Sequence, residues 1–174
     1  MAKNVIISID TTYIYGPDEE ETIEFTTDGV YLFENNIGYI SYYETQVTGM
    51  EGTRTSICIM PDSVVVDREG STSSQMIFKE GVAHDSLYQM EFGALMLTVC
   101  ATKIQWDLSF QGGTVDLVYR IEIEQSEAGT ITYHLDIRFE NGFTQMTVLA
   151  DAITTLHNGA ESLKNGISEL KKGA

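Results

Sequence analysis

The sequence is short of several things, and each shortage removes a class of protein. Two cysteines in 174 residues, Cys58 and Cys100, both within apolar strand-like runs, offer neither a disulfide framework nor a zinc-binding spacing. They read as reduced, structural thiols. No stretch of apolar residues approaches the length of a membrane span, and the early Val5-Ile6-Ile7 run is far too short for a secretory signal. A cytoplasmic protein is therefore expected, and the absence of any Asn-x-Ser/Thr acceptor agrees with that. Cationic residues are scarce: 10 Lys and Arg stand against 26 Asp and Glu, a formal net charge of -16. That field has the wrong sign for a nucleic-acid backbone or an anionic lipid surface, so neither nucleic acid nor membrane is an expected partner.

Catalytic vocabulary is equally sparse. The three histidines, His84, His134 and His157, are scattered, and Asp18-Glu19-Glu20-Glu21 lacks the alternating ligands and central glycine of a calcium loop. No phosphate-cradling glycine loop, nucleophile elbow or paired-acid constellation is readable. No enzyme, no metal and no cofactor are expected.

What is present is a rhythm of two. Val115, Leu117, Tyr119, Ile121 and Ile123 share one face, while Asp116, Arg120, Glu122 and Glu124 share the other. Ile131, Tyr133, Leu135, Ile137 and Phe139 repeat the pattern, and the polar stretch 125–129 joins the two as a hairpin. Shorter versions occur at Val5/Ile7/Ile9, Ile23/Phe25, Thr55/Ile57/Ile59, Val64/Val66, Met76/Phe78 and Leu95/Leu97/Val99. Turn chemistry separates them at Asp28-Gly29, Asn35-Asn36, Gly49 to Gly52, Met60-Pro61-Asp62, Glu69-Gly70, Glu80-Gly81 and Gly112-Gly113. About ten strands at even spacing result. With no helix between strands, parallel crossovers are excluded. Consecutive hairpins predict an antiparallel up-and-down β-barrel, whose closure removes sticky edges, over a Greek-key sandwich.

After Gly142 the period changes. Leu149, Ile153, Leu156, Ala160, Leu163, Ile167 and Leu170 alternate spacings of four and three, which predicts a C-terminal amphipathic helix. Residues 1–142 are thus expected to form the barrel and 143–174 the helix. The helix charges cancel, so the acidity belongs to the strands. Its seam either docks across apolar barrel surface or serves a homodimer or partner protein through residues 149–170; Leu at d and Ile at two of three a positions suit a two-stranded parallel coil. Gly159, Gly166 and Gly173 recur every seven residues, and the interior two each cost a helix about 1 kcal/mol relative to Ala.

The stretches TGMEGTRTSICI (48–59), VVVDREG (64–70), SSQMIFKEG (73–81) and GGTVDLVY (112–119), with His84, Tyr88, Phe92-Gly93 and Thr102 between them, resemble the YwiB-like family of small bacterial proteins. The resemblance spans nearly all of residues 3–140. It implies a calycin-like, lipocalin-like barrel in a cytoplasmic bacterial protein, with no established activity. Met90-Glu91 stands where the family has Thr-Pro, and the long C-terminal helix is not a family feature.

On that scaffold the informative residues are polar ones whose phase points inward. Arg68 shares phase with Val64 and Val66, and His84 with Tyr88, while Tyr119 and Tyr133 lie within apolar faces. An unpaired buried charge costs several kcal/mol, so something must meet Arg68. One answer is internal: Glu51 or a tyrosine hydroxyl. The other is a small amphipathic acidic ligand whose head is fixed by Arg68, His84 and Tyr88 and whose body lies against Leu117, Tyr119 and Tyr133. Arg54 has the opposite phase and is expected exposed at the rim beside Glu51. Trp106, in phase with Met96, Thr98 and Cys100 and out of phase with Leu95 and Leu97, is expected to plug one end by packing. The leading expectation is a non-enzymatic binding protein. The alternative is an interaction module with a filled barrel, and a third reading makes His84 with Tyr88 an acid–base pair lacking a second catalytic group.

Overall fold

A computed structural model describes residues 2–139 and 142–173, with side chains described over 2–139 and 153–173. Ten strands follow one another: β1 (Lys3–Gly16), β2 (Glu19–Glu34), β3 (Ile37–Tyr43), β4 (Thr53–Ile59), β5 (Ser63–Gly70), β6 (Ser74–Lys79), β7 (Ala83–Met90), β8 (Gly93–Ser109), β9 (Gly112–Ile123) and β10 (Ser126–Phe139). All the named strand pairs are antiparallel, and the first strand pairs with the last, Ile7 opposite Ile137 and Ile9 opposite Leu135. The order β6-β5-β4-β3-β2-β1-β10-β9-β8-β7 leaves its free edges at β6 and β7. These are stitched by isolated bridges: Ser73 and Gln89 exchange backbone hydrogen bonds of 2.9 and 2.8 Å, and the Gly81 amide donates to the Ala101 carbonyl at 2.9 Å. The result is a nearly closed up-and-down barrel, as the alternation and short connections predict.

The inner wall is built from the period-two positions. Val5, Ile7, Ile59, Val64, Phe78, Val99 and Leu135 are at most 2% exposed. Burying side chains of this kind is worth about 1.5–3 kcal/mol apiece, which is what fixes the register. The tightest turns are set by residues that tolerate left-handed backbone: Asn35 and Asn36 join β2 to β3 at φ 54° and 62°.

One local expectation changes, and Trp106 packs by a route that parity does not show. Asp28-Gly29 is not a turn; it lies inside β2, because Gly29 supplies space instead of a bend. A Cβ there would meet Ile7 Cδ1 at 2.5 Å and the Ser41 carbonyl oxygen at 2.7 Å. Trp106 points inward despite sharing parity with the outward Met96, Thr98 and Cys100. A register shift between Ala101 and Lys103 inserts one residue, so that odd positions line the interior before it and even positions after it. Trp106 then packs edge-on against Phe33, with ring centroids 6.4 Å apart, and its indole N–H donates to the Met60 carbonyl at 3.2 Å.

The strand-rich unit spans Met1–Phe139, and Glu140–Ala174 forms a second compact unit. The latter contains α1 (Gly142–Lys172), about 46 Å long at an α-helical rise. Leu149, first in the predicted seam, falls outside the described side chains. Leu156, Leu163 and Leu170 are 74%, 67% and 77% exposed. On the helix surface His157 Nε2 lies 3.7 Å from Glu161 Oε1, and Lys172 forms an ion pair with Glu169 at 3.7 Å. No described helix is long and apolar enough to cross a membrane.

Candidate functional site

Inward polar residues gather near the barrel end that carries the β3–β4 and β5–β6 loops. Register builds the cluster: Tyr42 lies opposite Thr55, Thr55 opposite Arg68, and Arg68 opposite Ser74. Four consecutive strands therefore place a phenol, a hydroxyl, a guanidinium and a second hydroxyl in one row on the inner wall. β3 then carries its phase one step past its last residue. Ile40, Tyr42 and Glu44 are all buried, and Glu44 swings its carboxylate into the row.

Glu44 is the acid that meets Arg68, in place of the Glu51 considered from sequence. Glu51 is exposed; its backbone carbonyl accepts from Ser71 Oγ at 2.6 Å. Arg54 is exposed as its phase implies, and its Nε donates to Ser41 Oγ at 2.8 Å. The Glu44–Arg68 contact is long, with Oε1 3.9 Å from Nε, beyond hydrogen-bonding distance. Glu44 is held instead by two hydroxyls: Thr55 Oγ1 donates to Oε1 at 2.6 Å and Thr48 Oγ1 to Oε2 at 2.8 Å. Thr48 belongs to a 3₁₀ turn (Gln46–Thr48) in the β3–β4 loop, so the loop that caps this end also positions the buried acid.

Arg68 Nε is buried with no hydrogen-bond partner, and so is Ser74 Oγ directly opposite it. Buried polar atoms are nearly always paired, so two neighbouring orphans are unusual. Burial opposes the charge on Arg68, but Tyr42, Tyr133, Glu44 and Tyr119 around it outweigh that, and it stays a guanidinium. The same burial acts on the phenols. It raises Tyr42 well above its ordinary value and pushes Tyr133 up to about 12, and Tyr119 rises too. All three are therefore neutral hydroxyls at physiological pH, available as donors to an anion. The Tyr42 and Tyr133 hydroxyl oxygens are 3.4 Å apart.

Two small spaces flank the row, and Arg68, Tyr119 and Tyr133 border both. One, of about 70 Å³, reaches from Phe25 and Tyr42 past Glu44 to Tyr13, Thr48 and Met50. The other, of about 20 Å³, is apolar and lies among Ile57, Met76, Phe78, Leu117 and Leu135. At the volume that liquid water occupies, the first holds about two molecules. Of the residues selected from sequence, Arg68, Leu117, Tyr119 and Tyr133 thus come together. Tyr88 faces inward from β7, but its hydroxyl donates to Met50 Sδ at 3.3 Å, fastening the β3–β4 loop. His84 is half-buried opposite Val99 and borders neither space. Between them Ser86 is buried with its hydroxyl unpartnered. Among the described residues no group of three or more His, Cys, Asp or Glu could hold a metal ion.

Residues 7–137 match the family model described as a domain of unknown function, DUF1934. The chain belongs to that family. The match covers the strands that build the Arg68 row and ends before α1. A curated relative, "Uncharacterized beta-barrel protein YwiB" of Bacillus subtilis (strain 168), is 32% identical over 118 residues, covering 66% of this chain and 82% of the relative. The crystal structure of the ywiB protein from Bacillus subtilis superposes with a TM-score of 0.66 at 24% identity, covering 78% of this chain and 92% of that one. A structural likeness at that identity speaks to the fold alone.

Glu44, Thr55 and Ser74 were not selected from sequence. Ser74 shares phase with Met76 and Phe78, and Glu44 with Ile40 and Tyr42, so strict extension of parity would have brought both in.

Proposed function

We propose that this member of DUF1934 is a non-enzymatic binding protein that takes the acidic group of a small molecule into the barrel at Arg68, in a lipocalin-like manner. The observation that carries this reading is the pair of buried, unpartnered polar atoms, Arg68 Nε and Ser74 Oγ, on directly opposed residues. A carboxylate would satisfy both, accepting charge-assisted hydrogen bonds from the guanidinium, from Ser74 and from the tyrosines. Spaces of about 70 and 20 Å³ favour a short body over a long acyl chain. Leu117, Tyr119 and Tyr133 supply its apolar contact, and Met76 is a flexible neighbour able to repack around it. The apolar wall among Ile57, Met76, Phe78, Leu117 and Leu135 beside Arg68 supports binding over turnover.

Native mass spectrometry of protein purified from its own host tests this. A co-purified small acid that disappears in Arg68→Ala supports the reading; an acid retained in that variant, or none in the wild type, counts against it.

A second reading rests on a separate observation, the exposed heptad seam of Ile153, Leu156, Leu163, Ile167 and Leu170. It commits to a second copy of α1 as the occupant. The e positions, His157, Lys164 and Lys171, are all basic and would face one another in an antiparallel pair, whereas a parallel pair sets them opposite Gly159, Gly166 and Gly173. Sedimentation should show a dimer of the intact chain that becomes a monomer in Leu156→Glu/Leu163→Glu; a monomeric intact chain contradicts it.

A further inference from the structure

We infer that Glu44 is the internal counterion that the ligand's acidic group replaces at Arg68, and that binding is an exchange of one carboxylate for another beneath the β3–β4 loop. The inference rests on the reading of Arg68 as the recognition group and adds what selects the ligand and how the site opens.

Charge supplies the first step. Arg68 and Glu44 already sum to zero inside an apolar tube, with side chains 12% and 1% exposed. A second carboxylate beside them would leave one buried negative charge without a counterion, a costly state in a medium of low polarity. If Glu44 leaves as the ligand enters, the interior stays neutral throughout. Such exchange favours monoanions, because a doubly charged group would leave a charge in excess.

Geometry supplies the second. Glu44 does not grip Arg68. The 3.9 Å separation forgoes the short, forked pairing that guanidinium and carboxylate prefer, and the acid is tethered to threonines instead. An entering carboxylate free to seat on Arg68 Nε and Ser74 Oγ makes bonds that Glu44 does not.

The third step is the route. Glu44 stands at the root of the β3–β4 loop, and its tether Thr48 lies within that loop, which closes over the larger cavity through Thr48 and Met50. Met50 is fastened by a sulfur contact from Tyr88 and by its carbonyl, which accepts from the Thr53 amide at 3.1 Å; the sulfur contact is the weaker of the two. Releasing Thr48 frees one of the two hydroxyls that hold Glu44 and uncovers the cavity, and Glu44 withdraws once the bond from Thr55 on β4 is broken as well. Tyr88 thus acts on binding by holding the loop, and Glu44 is the specificity-determining residue.

Butyrate is a suitable probe, measured by calorimetry and by the Arg68 Nε–H resonance on the full chain. Glu44→Gln keeps the shape and removes the competing charge. It should bind butyrate at least tenfold more tightly than the wild type. Thr48→Val, which leaves the charge but loosens its tether, should gain a few-fold, and this variant decides the matter should Glu44→Gln not fold. Arg68→Met should bind none. If Arg68 is required but neither Glu44→Gln nor Thr48→Val tightens binding, the exchange is wrong and the reading of Arg68 survives. If Arg68→Met binds as well as the wild type, or no variant binds, that reading falls and takes the exchange with it.

Discussion

Arg68 and Glu44 make a pair whose separate removal and joint removal differ in consequence. Arg68→Met strands a buried carboxylate, and Glu44→Gln strands a buried guanidinium; breaking such a pair costs about 3–5 kcal/mol, the smaller figure applying where hydroxyls still hold the survivor. Thr48 and Thr55 still hold Glu44 when Arg68 is gone. Urea denaturation should therefore show about 3 kcal/mol lost in Arg68→Met and clearly less than the sum of the single effects in the double variant. The buried phenols make a second expectation. Their ordinary value is 10.0, and in the fold Tyr133 is held up to about 12 with Tyr42 and Tyr119 raised as well, burial being the main cause. Above pH 10 the unfolded chain loses phenolic protons that the folded one keeps. Stability from these groups is thus whole below pH 10 and is lost as pH rises through 12. Denaturation midpoints should fall over that interval, with tyrosinate absorbance from the buried rings appearing only as the chain unfolds. At this scale the sequence made Arg68, Tyr119 and Tyr133 legible because parity holds along β5, β9 and β10. Glu44 escaped because it sits one step beyond a strand that no long alternation advertises, and Glu51 looked plausible only through nearness in sequence.

Among elements, β8 shows why parity is not enough. Its single inserted residue turns Ile104, Trp106 and Leu108 inward, and nothing in the residue types at 101 to 103 announces the shift. Deleting Thr102, the unpaired residue of the shift, should leave simple alternation along β8 with Ile104, Trp106 and Leu108 still facing inward. The variant should fold with the Trp106 emission maximum unchanged. Emission moved to longer wavelength would contradict the assignment. β2 carries the opposite lesson: Asp28-Gly29 has the composition of a turn, yet the demand for room between Ile7 and Tyr42 decides its place. Strand pairing through adjacent hairpins was readable from connection lengths, whereas the pairing of β1 with β10 follows only from the need to cover two edges.

For the molecule as a whole, acidity is the dominant long-range feature. The charge of -16 resides in the strands, since Asp151, Glu161 and Glu169 balance Lys164, Lys171 and Lys172 in the helix. Self-repulsion of that size works against compactness and is screened by salt. Thermal unfolding should move to higher temperature as sodium chloride is added from low ionic strength, and a midpoint that falls would show that specific ion pairs outweigh the net field. Membership of DUF1934 accounts for the barrel and stops before α1, so the two units call for separate explanations.

The claim on which the rest depends is that the barrel interior holds an anion-receptive centre. A high-resolution crystal structure grown in butyrate addresses it directly. The account predicts a carboxylate within hydrogen-bonding distance of Arg68 Nε and Ser74 Oγ, with Glu44 withdrawn. Density showing Glu44 in place and both orphan atoms bonded to protein groups would contradict it.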